Sequence, residues 1–291
     1  MLLFSVVFMA ATGTEVYSQM MFVDRSTAVA TGAAETLSLQ GGTICASTLR
    51  HDLGVDTTRT KYTGIGKFCM RATEPQRTQL DSLARAITRP YVPDPTRALA
   101  EAAFDYRLRV GNTVHSGSYG YDGDDDFDRS LAPFDLLVRE VVQRGDAIAG
   151  FRPSVDATLE GGNLLVTLSL SNCGRVDLAL TGPGDWGSRL TGTRSRGVVI
   201  RIFDEKGLAT TSALTAENLL ARSARPRDPL LIPAGQVKTL HFSIQAPPEV
   251  GERLRAGDPV VMGTLQLDAD FQGELKGLAE TPVEGTALKI L

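Results

Sequence analysis

The stretch Leu164-Leu165-Val166-Thr167-Leu168-Ser169-Leu170 decides the fold class. Leu164, Val166, Leu168 and Leu170 alternate with Leu165, Thr167 and Ser169, which is what a half-buried antiparallel strand requires. The same period of two runs through most of the chain after Phe151. Strands are expected at Val155–Leu159, Leu164–Leu170, Arg175–Leu180, Val198–Phe203, Val237–Ile244, Val260–Leu267 and Thr286–Ile290. Ile232-Pro233-Ala234-Gly235-Gln236 reads as a turn that feeds Leu240, Phe242 and Ile244 onto one face. Ala209 to Asp228 reads as a longer insertion, with a helical turn around Leu214 to Leu220.

Short strands, regular turns and no convincing helix predict an all-β two-sheet sandwich over residues 151–291. It resembles an immunoglobulin-like domain in pattern, although the Cys…Trp…Cys spacing of that family is missing.

Upstream of Gly150 the pattern mixes. Thr36–Leu39, Thr43–Leu49, Thr57–Tyr62 and Lys67–Ala72 read as short strands between glycine-bearing turns. Leu80, Leu83, Ala84 and Ile87 recur at helical spacing and give one apolar stripe. Thr73 with Gln76 three residues later has the form of a capping box, and Pro75 suits a first turn. The three prolines of Arg89–Pro95 forbid a continuing helix and predict an extended connector. Phe104 to Val110 alternates, Gly111-Asn112 supplies a tight turn, and Thr113 to Tyr121 returns as the second arm of a hairpin. A second helix then carries Leu131, Phe134, Leu137, Val138, Val141 and Val142 on one face and ends at Gly145. Residues 19–150 are therefore expected to form an α+β domain of short antiparallel strands and two amphipathic helices.

The apolar run Met1 to Ala11 has signal-peptide length, and small residues follow it at Ala11-Thr12-Gly13 and Val16-Tyr17-Ser18. No basic residue precedes it; the first is Arg25. Residues 1–18 are read as a signal peptide and the protein as periplasmic or secreted. The alternative is a cytoplasmic protein in which this run is a buried first strand. No other stretch approaches membrane-spanning length, so no membrane span is expected after processing. A formal charge of −4 and a pI near 5.5 leave no basic footprint for nucleic acid. Of the three cysteines, Cys45 and Cys69 lie in strand-like contexts and could form a disulfide; two buried thiols are the alternative. Cys173 stands at a strand end without an obvious partner.

Gly182 to Gly187, GPGDWG, matches the glycine spacing of a dinucleotide loop, but no helical pattern follows it. A turn between strands is the better reading, with Trp186, the sole tryptophan, closing one end of the sandwich. The histidines are His51, His115 and His241, and neither a nucleophile elbow nor a zinc-protease motif accompanies them. His241 falls opposite the apolar face of its strand and should be solvated. His115 pairs across the hairpin from Leu108, as a packed histidine or as half of a His115–Ser118 catalytic pair.

Tyr121 to Asp128, YDGDDDFD, packs five carboxylates into seven positions. The alternation of Asp122, Asp124, Asp126 and Asp128 suggests calcium ligands, but Phe127 and Pro133 stand where an EF-hand needs its glycine and bidentate glutamate. The run is read as the acidic approach to a helix that Asp128 or Ser130 caps. Asp122, Asp124 and Asp126 are the residues that would hold a loosely bound calcium; no other cofactor is expected.

Together these features predict an exported, soluble, non-enzymatic binding protein of the cell envelope. It would be an inhibitor, a toxin-neutralising protein or an accessory factor with a protein or glycan partner. The competing expectation is a secreted hydrolase with a carboxylate- or His115-based site in the N-terminal domain.

Overall fold

A computed structural model of the chain describes residues 19–24, 35–49, 65–87, 103–110, 113–120, 125–187, 196–220 and 228–291. The fold is mostly β-sheet, with three helices among those residues and strands joined into one large mixed sheet. The strand expected at Thr57–Tyr62 and the connector at Arg89–Pro95 lie outside the described residues, as do residues 1–18.

The N-terminal part begins with β1 (Gln19–Asp24), β2 (Glu35–Gln40), β3 (Thr43–Thr48) and β4 (Ile65–Arg71). Helix α1 (Glu74–Ile87), the hairpin β5 (Ala103–Val110) and β6 (Thr113–Gly120), and helix α2 (Asp125–Arg144) follow. The strands pair antiparallel in the order β6-β5-β1-β2-β3-β4. Leu80 and Leu83 of α1 and Phe134, Leu137, Val138, Val141 and Val142 of α2 share one buried cluster with Leu37, Leu39, Ile44, Ala46 and Phe68 of the sheet. Each leucine, isoleucine, valine or phenylalanine among them removed from water contributes about 1.5–3 kcal/mol, so this face holds both helices on the sheet.

The capping box at α1 forms as the sequence predicts. The backbone amide of Thr73 donates to Gln76 Oε1 at 2.9 Å, and the Gln76 amide reaches Thr73 Oγ1 at 3.5 Å. The second helix differs from expectation. It opens at Asp125 rather than after Asp128, which places Asp128 inside the helix instead of at its cap. Asp125, Asp126 and Asp128 thereby occupy the first turn, where the exposed amides favour negative charge. Pro133 consequently sits in the helix interior.

Strand β7 (Asp146–Glu160) is fifteen residues long and runs straight through Gly150. Its first part pairs with β4, and its later part pairs with β8 (Asn163–Asn172). The boundary expected between residues 150 and 151 therefore lies inside a strand that passes from one buried cluster to the other. At that crossing the chain packs backbone on backbone. A Cβ on Gly174 would lie 2.6 Å from the Gly150 nitrogen and 2.8 Å from Ala149 Cα, so only glycine fits.

Beyond it come β9 (Leu178–Leu180), a 3-10 turn at Pro183–Asp185, β10 (Gly197–Asp204), β11 (Gly207–Leu214), β12 (Leu230–Ile232) and β13 (Val237–Gln245). Helix α3 (Pro248–Arg255), β14 (Val260–Asp270), β15 (Lys276–Gly285) and β16 (Lys289–Ile290) complete the chain. One ladder runs β13-β8-β7, and another runs β11-β10-β14-β15, with β9 attached to β14 and β12 to β9. The short parallel pairings of β15 and β16 with β7 make the sheet mixed. A second buried cluster draws Val155, Leu168 and Phe242 from the first ladder and Ile200, Leu265 and Ile232 from the other.

Several expectations for this half are corrected. The strand expected at Arg175–Leu180 contracts to Leu178–Leu180, because Asn172 to Val176 is drawn into a tight turn around the Asn172 amide. Residues Gly207–Leu214 form a strand rather than part of an insertion, and Leu214–Leu220 is a turn in which Leu219 bridges to Phe242. Helix α3 exists although no helix was expected there. It is short, begins with Pro248, and is anchored by buried Leu254.

Candidate functional site

The outer face of the β10-β11-β14 ladder carries the clearest surface feature. Phe203 stands in register with Leu208 on one side and Val260 on the other, and Arg201 stands opposite Met262. Leu208, Val260 and Met262 are 51%, 43% and 52% exposed. Alternation explains the arrangement: Val261 turns inward and is fully buried, so its neighbours on either side must face water. The register shift between Ile202 and Phe203 brings Leu208 beside Phe203 on this outer side.

The turn joining β10 to β11 is fixed beside the patch. Arg253 of α3 donates from Nε to Asp204 Oδ2 at 2.5 Å and from Nη2 to Asp204 Oδ1 at 2.7 Å. The Lys206 amide donates to the same Oδ1 at 2.8 Å. Those hydrogen bonds, chiefly the one from Arg253, hold the Asp204 carboxyl below the usual carboxylate range, against a smaller desolvation effect. The Asp204 side chain is 6% exposed because Arg253 covers it, not because it lies deep in the protein.

The opposite end of this half is closed by Trp186. Its Nε1 donates to the Thr181 carbonyl at 2.9 Å, and its ring stacks on Phe242 with centroids 5.9 Å apart. The GPGDWG segment is a short turn that opens no α-helix, as expected. His241 is exposed, with Nδ1 3.2 Å from Thr167 Oγ1.

The sequence-predicted site residues do not gather at one place. His115 stands opposite Leu108 in the hairpin register, as expected, and Ser118 stands opposite Asp105. The side chains of this hairpin lie outside what is described. Asp122 and Asp124 also lie outside the described residues, and Asp126 stands in the first turn of α2. Among the described residues no group of three or more histidine, cysteine or acidic side chains could hold a metal ion.

Cys45 and Cys69 form the expected disulfide, from directly opposed positions on β3 and β4 with Cα atoms 4.1 Å apart. Ile44, Ala46 and Phe68 face the helices, so the bridge lies on the other side of the sheet. Cys173 is a free, exposed cysteine. Packing round its sulfur raises the thiol pKa, and Arg152 works in the opposite direction.

The surface patch was not legible in the sequence, because Val260-Val261-Met262 is uniformly apolar and does not declare its faces.

No family model matches the chain, and no curated protein matches it. Among solved structures, the thioester domain of the Enterococcus faecium TIE86 protein aligns with 88% of this chain and 84% of that one, at 12% identity and a TM-score of 0.14. A TM-score that low carries no argument about this chain.

Proposed function

We propose that this chain is an exported, soluble, non-enzymatic interaction protein of the cell envelope, of inhibitor, toxin-neutralising or accessory type. In this reading residues 1–18 are a signal peptide, 19–150 an α+β domain and 151–291 an immunoglobulin-like sandwich. The observation that carries it is the exposed apolar patch of Leu208, Val260 and Met262 beside Phe203. Grouped apolar side chains left in water mark a recognition surface when a firm backbone presents them. The Arg253–Asp204 contact supplies that firmness at one edge. An aliphatic patch of this kind suits the apolar centre of a protein–protein contact, so the partner is a protein.

The Cys45–Cys69 disulfide supports export, since such bridges persist in oxidising compartments. A test pairs two assays on the purified full chain: saturable binding to a component of an envelope extract, and turnover of generic ester, peptide and glycoside substrates. Saturable binding without turnover supports the proposal. Turnover without any binding partner replaces it with the hydrolase reading.

A further inference from the structure

Arg201 stands in the middle of the exposed face of the β10-β11-β14 ladder. Val198, Ile200 and Ile202 of β10 are buried in the core, so Val199, Arg201 and Phe203 share the outer side. Across the ladder Arg201 stands opposite Thr211 of β11 and Met262 of β14. Phe203 stands opposite Leu208 and Val260, and Val199 stands opposite Ala213. Along β10 the face therefore reads apolar, cationic, apolar. Arg201 is half-buried, and its guanidinium makes no hydrogen bond or ion pair among the described residues. Asp204, the acidic residue on the same strand, is already held by Arg253.

A partner that covers this face takes Arg201 out of water, and a buried guanidinium without a counter-charge is strongly unfavourable. The covering surface must therefore bring an anion. A carboxylate meets the planar guanidinium fork with two parallel hydrogen bonds. Sites that read phosphate gather several arginines. Val199, Phe203, Thr211 and Met262, the side chains around Arg201, supply no second cation, so a single carboxylate is the match. We propose that the partner docks here through an extended acidic segment that lays one Asp or Glu carboxylate on Arg201. Apolar side chains two residues before and after that acid pack against Val199 on one side and the Phe203, Leu208 and Val260 row on the other. An extended segment has the same rise per residue as β10, so every second side chain falls on one row. This inference rests on the proposed recognition face and adds the chemistry of what covers it.

The test selects random phage-displayed peptides on the immobilised full chain, with counter-selection on a Leu208→Ser, Val260→Ser, Met262→Ser triple variant. The recovered peptides should share an acidic residue with apolar residues two positions to either side. One of them, synthesised with that acid and with its amide in its place, is then titrated into the parent, Arg201→Gln and Arg201→Lys. Melting temperatures measured alongside separate lost binding from lost folding. Replacing the acid by its amide should weaken binding to the parent at least about tenfold and change nothing further in Arg201→Gln. Arg201→Lys keeps the charge without the fork and should fall between the two. Peptides with no shared acid, or equal affinity of the parent and Arg201→Gln, overturn the inference and leave the apolar face as the recognition surface. Failure to recover any peptide that tells the parent from the triple variant also overturns it, whereas the recognition face itself stands or falls with the envelope-extract assay.

Discussion

Arg253 grips both carboxylate oxygens of Asp204, joining a short helix to the β10–β11 turn from 49 residues away in the chain. A carboxyl whose folded pKa is depressed stabilises the fold above its unfolded pKa and loses that contribution as pH falls through the folded value. The Asp204→Asn variant should therefore melt below the parent at pH 7. The gap should narrow as pH drops below about 4, the ordinary aspartate range. Thermal melts of both proteins across that range check it; a gap that stays constant into acid contradicts the pairing.

The Cys45–Cys69 bridge closes a loop of 24 residues' separation. Replacing both cysteines by serine should cost about 3–4 kcal/mol on the chain-entropy account. Denaturant unfolding of the double variant against the oxidised parent measures this. A non-reducing peptide map should recover the two cysteines linked and Cys173 free.

Asn172 is buried at 1% exposure and its amide serves three backbone groups. Nδ2 donates to the Val176 and Ile232 carbonyls, each at 2.8 Å, while Oδ1 accepts from the Gly174 amide at 3.0 Å. Asn172→Leu should cost about 2–4 kcal/mol, because it strands buried polar groups in the Gly174–Val176 turn and at the end of β12. Chemical denaturation reads the loss directly.

Gly285 meets its neighbours even more closely, with a Cβ there placed 1.6 Å from the Val261 carbonyl oxygen. Gly285→Ala should cost about 3 kcal/mol or more, since backbone rather than a flexible side chain must yield. Gly257, with nothing within 4 Å, is the matched control. Gly257→Ala should stay within about 0.5 kcal/mol of the parent.

What the sequence discloses and conceals follows from the range of the forces involved. The period of two in Leu164–Leu170, the helical stripe of Leu80 and Leu83, the Thr73–Gln76 capping box and the hairpin register are local, and all are present in the structure. The opposition of Cys45 and Cys69 was legible as a possibility because each lies in its own strand-like segment. Only Val155–Leu159 of strand β7 was expected, since glycine and proline interrupt a local pattern, yet Pro153 takes its place opposite Leu170 in the ladder. Strand β15 was hidden in the same way by Pro282, and α3 by Gly251. Strand β11 lacks the alternating large residues that announce a strand, since an edge of small side chains needs none. The Asp204–Arg253 pair and the placing of Val260 beside Phe203 depend on register between distant segments, which no local pattern encodes.

The patch formed by Leu208, Val260 and Met262 is the proposed recognition surface. The most direct measurement is the affinity of the purified partner for the parent chain and for a Leu208→Ser, Val260→Ser, Met262→Ser triple variant, with melting temperature measured alongside. All three side chains are exposed, so the variant should fold as the parent does while its affinity falls at least a hundredfold, about 2.7 kcal/mol. Equal affinity in the two proteins, at equal stability, would contradict the assignment of this face as the recognition surface.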